Sequence, residues 1–158
     1  MEKITIRQMK KADIKKLAVM YAEVYKVFDV GEKWDSKSAH KLLAYWFGRQ
    51  SDLAFIAEAG GKLAGAAIAG IKPWWDGNHI VDGEIFVSPQ FQKRGIGSML
   101  LKALCLKAKK KYKAISFDTI TFRSTGFPLS WYRKIGFDEV KEWMLISASV
   151  DKILQNLD

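Results

Sequence analysis

Polar and apolar positions alternate in residues 3–7, KITIR, which predicts a short strand. From residue 12 to residue 30 the period lengthens. Ile14, Leu17, Ala18, Tyr21, Val24, Tyr25 and Phe28 recur at helical intervals, and Asp13 is placed to complement the positive end of the helix dipole. WDSKSAHKLLAYWFGRQ predicts a second helix, capped by Asp35 or Ser36. The period then shortens. DLAFIAEAGGKLAGAAIAGIKPWW reads as two strands joined by a tight turn at Gly60-Gly61, and DGN at 76–78 is a further turn leading into a strand over 79–87.

Residues 81–104, VDGEIFVSPQFQKRGIGSMLLKAL, pass from strand alternation through a basic, glycine-punctuated loop directly into helical spacing. Leu100, Leu101, Ala103, Leu104 and Ala108 carry that helix to about Lys111, with Cys105 on its apolar face. AISFDTITF predicts another strand, PLSWYRKIGF a short helix with Pro128 near its first turn and Gly136 at its end, and EVKEWMLISAS the final strand or strands. The sum is an α+β, or mixed α/β, fold in a single domain over residues 1–158, without repeats, linkers or low-complexity segments.

Composition adds limits. A chain of 158 residues, 49% hydrophobic and 27% charged, suits one soluble domain with one sizeable core. The N-terminus is charged from its second residue, and no apolar run approaches the ~20 residues a bilayer requires, so a cytoplasmic setting is expected. The lone Cys105 cannot form an internal disulfide, in keeping with a reducing compartment. The net charge of +9 raises the question of nucleic acid, but the lysines are spread over predicted helix surfaces and no nucleic-acid motif accompanies them. His40 and His79 lack any spacing for a metal or a nucleophilic triad, so no metal is expected.

The glycine loop asks for a ligand. A helix N-terminus presents backbone N–H groups and a partial positive charge, Gly95 and Gly97 leave room for close approach, and Lys93 and Arg94 add charge; a pyrophosphate would suit it. Position 100 is Leu where a dinucleotide fingerprint has Gly, and no Gly-Lys-Ser/Thr follows as in a P-loop, so neither motif is expected. Instead Gln92-Lys93-Arg94-Gly95-Ile96-Gly97, preceded by IFVSPQFQ, resembles the Q/R-x-x-G-x-G/A segment of the GNAT (Gcn5-related N-acetyltransferase) superfamily. Downstream, WYRKIGF at 131–137 is similar to the Y-x-x-x-G-F element of that superfamily, and the order of elements resembles its fold over nearly the whole chain.

The resemblance implies a mostly antiparallel, twisted central sheet, splayed at an acyl-CoA site and flanked by about four helices. It implies that acetyl-CoA is cradled by the amides of Gln92, Lys93, Arg94, Gly95, Ile96, Gly97 and Ser98, with its pantetheine arm against the main chain of Phe86 and Val87. It places the Val87 amide close to the acetyl carbonyl and Tyr132 where the family's thiolate-protonating tyrosine stands. Thr125 occupies the position where the family often has a pantetheine-touching Asn. Glu84 is the candidate base or amine anchor, although a bulge of the kind the family often carries would decide which way it faces. The expected activity is transfer of acetyl to a primary amine in a ternary complex, a small-molecule amine being slightly favoured over a protein N-terminus or lysine. Trp34, Trp46, Trp74, Trp75, Glu32, Asp35 and Asp76 are candidates to border the acceptor. A non-catalytic CoA- or RNA-binding module is the alternative, and a homodimer would be unsurprising for the superfamily.

Overall fold

The computed structural model describes residues 2–26, 31–123 and 126–157. They fall into two compact units, Met1–Ile120 and Thr121–Asp158. The first holds one open sheet of five strands in chain order: β1 (Ile4–Gln8), β2 (Ala54–Ala59), β3 (Lys62–Trp74), β4 (Gly77–Val87) and β5 (Ser116–Asp118). The first four run antiparallel; β5 pairs parallel to β4, and only over residues 79–81 with 116–118.

Three helices cover this sheet. On one face lie α1 (Ile14–Tyr25) and α2 (Ser36–Gln50), whose Leu17, Tyr21, Leu43 and Trp46 share a core with Ile56, Ala66, Ile68 and Phe86. On the other lies α3 (Ile96–Tyr112), whose Ile96, Leu100, Leu104 and Ala108 pack with Ala57, Ala67, Ala69 and Ile80. The run AGAAIAG in β3 is therefore buried on both sides, which explains its continuous small and apolar character in place of alternation. Asp35, not Ser36, caps α2, accepting the Ser38 amide at 2.6 Å.

Two details depart from simple alternation. The hairpin between β3 and β4 turns at residues 75–76, because Gly77 already pairs with Trp74; the strand starts two residues earlier than its turn signal suggests. Further along, Ile68 faces Glu84 and Gly70 faces Val81, so Asp82 and Gly83 together oppose Ala69. This is a β-bulge, with Asp82 at φ 49. Gly83 is needed there, since a Cβ would meet the Ile68 carbonyl oxygen at 3.0 Å and the Ala69 Cβ at 3.1 Å.

The start of β4 is tied to β5 by His79, which is buried. Its Nδ1 meets Asp118 Oδ2 at 2.6 Å and its Nε2 meets Asp76 Oδ1 at 2.9 Å, while Ser116 donates to the other Asp118 oxygen. The bond to Asp118 raises the imidazole pKa above its ordinary value; burial opposes this and Asp76 adds to it. A raised pKa means the stabilisation is fully present below the unfolded-state value of about 6.5 and is lost as pH rises through the higher folded value. Urea unfolding between pH 6 and pH 9 should therefore show stability falling in the wild type and a flatter curve in His79→Gln; parallel curves would remove His79 as the titrating clamp.

The second unit contains α4 (Leu129–Lys134) and α5 (Val150–Gln155), which brings the α-helices to five among the described residues. Ser149 caps α5, accepting the Lys152 amide at 3.2 Å. One strand expectation is met only in part and another fails. AISFDTITF contributes only the three residues of β5. EVKEWMLISAS forms no strand: its alternation breaks at Trp143, Met144, Leu145 and Ile146, four successive apolar residues that stand exposed, and the five strands of the sheet all belong to the first unit. Residues 27–30, the end of the expected first helix with Phe28, lie outside the described residues.

Candidate active site

The bulge in β4 decides what Glu84 sees. Strict alternation would put Ile80 on the same face as Glu84 and Phe86; the extra residue sends Ile80 to the α3 side, with Ile85 and Val87, and leaves Phe86 in the core beneath α1 and α2. Glu84 thus meets α1. The Tyr21 hydroxyl donates to Glu84 Oε2 at 2.9 Å, and the Tyr25 hydroxyl reaches the same oxygen at 3.4 Å. Burial pushes the Glu84 carboxyl up to about 7; the two tyrosine bonds pull it down, and the neighbouring charges of Glu32 and Asp82 push it up further. A carboxylate so placed changes protonation near neutral pH.

Aromatic rings hold this arrangement. Tyr21 is 2% exposed. It stacks on Tyr25 at 4.4 Å between centroids and takes Trp34 and Phe86 edge-on at 5.2 and 5.1 Å. The indole of Trp34 in turn donates to Glu32 Oε2 at 2.8 Å. Burial, followed by the Glu84 charge, holds the Tyr21 phenol well above the ordinary tyrosine range, so it stays a donor at any working pH.

Beyond Glu84 the strand lies open. Pairing of β4 with β5 ends at Val81, so among the described residues the 82–87 stretch has β3 as its one ladder partner. The Ser88 amide donates to the Ala64 carbonyl on β3 at 2.9 Å; alternation of the backbone therefore turns the Val87 N–H away from β3, towards the open edge. Gln92 Nε2 donates to the Val87 carbonyl at 3.1 Å and fixes the loop to the strand end.

The loop that follows bends through two left-handed residues, Lys93 at φ 60 and Gly95 at φ 76, before α3 begins. Gly95 is the N-cap of α3, and no side chain caps the helix. The Ile96 side chain is 1% exposed in the α3-side core, so only its main chain is available to a ligand. Lys93 and Arg94 stand exposed, Arg94 over the Phe91 ring at 5.4 Å and 3.6 Å from Glu2. This is a positively charged turn leading into first-turn amides that have no intrahelical acceptor.

The sequence profile of the acetyltransferase (GNAT) family matches residues 16–137 of this chain, from within α1 to the Phe137 of WYRKIGF. The chain belongs to the GNAT family. An uncharacterised N-acetyltransferase of Methanocaldococcus jannaschii, MJ1207, is 29% identical over 148 residues; the alignment takes in 89% of this chain and 64% of that relative's length. Among solved structures, PH1933 of Pyrococcus horikoshii superposes with a TM-score of 0.69 at 26% identity, covering 87% of this GNAT chain and 90% of its own. A Clostridium acetobutylicum predicted acetyltransferase, solved with acetyl-CoA, has a TM-score of 0.72 at 18% identity over 92% and 96% of the two chains.

Of the residues read as a site, Glu84, Phe86, Val87 and those of 92–98 lie on one continuous strand, loop and helix of the GNAT chain's first unit. Phe86 is 3% exposed, so its contribution there is main chain. Tyr132 belongs to the second unit, 8% exposed on α4, its ring 5.0 Å from Trp131 and 5.1 Å from Phe137. Thr125 lies outside the described residues.

The expected acceptor border separates. Trp34 and Glu32 join the Glu84 cluster through Tyr21, whereas Trp46 is core beneath Gly70, Asp35 is the α2 cap and Asp76 serves His79. Trp74 and Trp75 sit at the β3–β4 hairpin, about 20 Å along the strand from Glu84 at ~3.3 Å per residue. Among the described residues no group of three or more His, Cys, Asp or Glu side chains is placed to hold a metal ion, and no helix is long and apolar enough to cross a membrane. Tyr21 and Tyr25 were missed as site residues because their spacing of four also reads as an ordinary apolar helix face. The usable signal was a pair of hydroxyl-bearing rings on that face together with an acid, Glu84, set among the apolar residues at the end of a strand.

Proposed function

We propose that this GNAT chain transfers acetyl from acetyl-CoA to a primary amine by direct attack in a ternary complex, with residues 1–158 acting as one acetyltransferase domain in the cytoplasm. The observation that carries the reading is the open edge of β4: a half-buried Glu84 that titrates near neutral pH, then the outward Val87 N–H, then the uncapped start of α3. The family implies acetyl-CoA, and the residues fit it. Nothing lies within 4 Å of where a Gly95 Cβ would stand, so the loop leaves its amides approachable, and Lys93 and Arg94 add the charge a pyrophosphate needs. The relative from Clostridium acetobutylicum was solved with acetyl-CoA, which supports the same assignment here.

Bound acetyl-CoA supplies a thioester carbonyl open to attack by an amine. In this reading the main chain of Phe86 and Val87 holds the pantetheine arm, and the Val87 N–H donates to the carbonyl oxygen as negative charge develops on it. Glu84 takes a proton from the incoming ammonium, directly or through water, and Tyr132 gives a proton to the departing sulfur. Thr125 takes the place of the family's Asn. The acceptor we favour is a small-molecule amine, since Tyr25, Trp34, Glu32 and Glu84 set aromatic faces and carboxylates together in the way that suits a desolvated cation.

Thermal melting tests the first half. Acetyl-CoA at about 100 times its dissociation constant adds ~2.7 kcal/mol, a rise of several degrees for a chain of this size. Free-thiol release on a panel of polyamines, amino sugars, amino acids and lysine-bearing peptides tests the second, and Tyr132→Phe should slow turnover without changing the melting shift. No shift would dismiss the glycine loop as a CoA cradle. A shift with no thiol release on any amine would leave a binding module.

A further inference from the structure

We propose that Tyr21, supported by Tyr25, is the positioning residue of the site: it holds Glu84 Oε2, so that Oε1 is the oxygen that takes the amine proton. The inference rests on Glu84 being the base. Both phenols donate to one oxygen, at 2.9 and 3.4 Å, and among the described residues Oε1 receives no hydrogen bond. A carboxylate on a flexible side chain can rotate and exchange its oxygens; two donors from α1 on the same atom remove that freedom. The proton therefore arrives at and leaves from Oε1 while the bonds to Oε2 persist in both states, so no rearrangement accompanies transfer.

The support behind Tyr21 has the same character. Its ring is fixed by the stack on Tyr25 and by the edges of Trp34 and Phe86, so α1, the segment leading into α2, and β4 all set its place. The titratable groups facing Glu84 are Tyr21 and Tyr25 from α1, Glu32 from the segment before α2, and Asp82 from the bulge of β4 itself. The two acids disfavour ionisation of Glu84, and the two phenols are the groups that favour it. Removing the shorter phenol bond must then make Glu84 harder to ionise, which a purely space-filling ring would not do.

The test needs no knowledge of the acceptor. In the full chain carrying glutamate labelled with 13C at Cδ, the Glu84 resonance is identified by its loss in Glu84→Gln and followed with pH. The wild-type carboxyl should titrate at about 7. In Tyr21→Phe the midpoint should move up by about one pH unit, and in Tyr25→Phe, whose bond is longer, by less. With an amine found active in the thiol-release panel, the acid limb of kcat/KM should move by the same amount in Tyr21→Phe, with KM for acetyl-CoA unchanged. An unmoved midpoint and limb, with the rate lowered equally at all pH values, would reduce Tyr21 to packing and overturn the proposal. If Tyr21→Phe does not fold, the shift in Tyr25→Phe carries the test, and an unmoved midpoint there overturns it equally. Glu84→Gln separates the two ideas. Retention of the acid limb in that variant retires the base assignment and the positioning role with it, whereas a lost limb beside an unmoved Tyr21→Phe retires the positioning role alone.

Discussion

Glu84→Gln should lower turnover by about 10²- to 10⁴-fold and abolish the fall in rate below pH 7, because the substituted amide cannot accept the amine proton. The same variant carries a second, independent signature in its stability. Glu84 has a folded pKa of about 7 against an ordinary value of 4.5, so between those values the folded state holds a proton that the unfolded state has released. Stability contributed by the neutral carboxyl is therefore present at low pH and declines as pH rises towards 7. In Glu84→Gln that decline disappears, and at pH 8 the variant should melt no lower than the wild type while being far less active. Such a pairing is expected where a group is held in an unfavourable state for the sake of chemistry. A variant that kept both the rate and the acid limb would end the assignment of Glu84 as base. If the rate fell with the limb still in place, Glu84 would be an anchor for the amine and not the group that deprotonates it.

The layout was largely legible along the chain because its signals were local. The Gly60-Gly61 turn, the Asp35 cap and the burst of helical spacing after Gly95 each state an element without reference to anything distant. The orientation of Glu84 was not legible, because it depends on an insertion of one residue. Alternation relates Glu84 to Phe86 correctly, but the Asp82-Gly83 bulge separates both from Ile80, and only the register against β3 reveals it. An Asp-Gly pair inside an apolar strand was the available hint. The tyrosines of α1 read as part of a helical face, with Tyr21 in the core and Tyr25 packed against it; that their hydroxyls converge on one carboxylate is a tertiary fact. The C-terminal segment failed for the opposite reason. EVKEWMLISAS has the composition of a strand, but composition does not supply a ladder partner.

Gly65→Ala should damage the site through the backbone alone. Gly65 faces Val87 across the β3–β4 ladder, and a Cβ there would meet the Phe86 carbonyl oxygen at 2.6 Å, the Val87 Cα at 3.1 Å and its Cγ2 at 3.2 Å. The first of these is main chain, so no rotamer change relieves it and the two strands must part. They would part at the pair that sets where the Val87 N–H points. Overpacking of this kind costs about 1–3 kcal/mol, and melting should drop by several degrees at ~2–4 °C per kcal/mol. Affinity for acetyl-CoA should fall at least about tenfold, since a displacement worth ~1.4 kcal/mol of lost main-chain bonding suffices for that. Gly48 gives the contrast: it lies in α2 with nothing within 4 Å of its Cβ position, so Gly48→Ala should leave acetyl-CoA binding intact and raise stability slightly. Calorimetric titration of acetyl-CoA into both variants checks the pair. If Gly65→Ala bound as tightly as Gly48→Ala, the end of β4 would not be the wall of the cofactor site, and the loop before α3 would have to hold acetyl-CoA unaided. If it bound weakly while melting normally, the strands would have parted at little cost, and the spacing of Gly65 from Val87 would matter for the ligand more than for the fold.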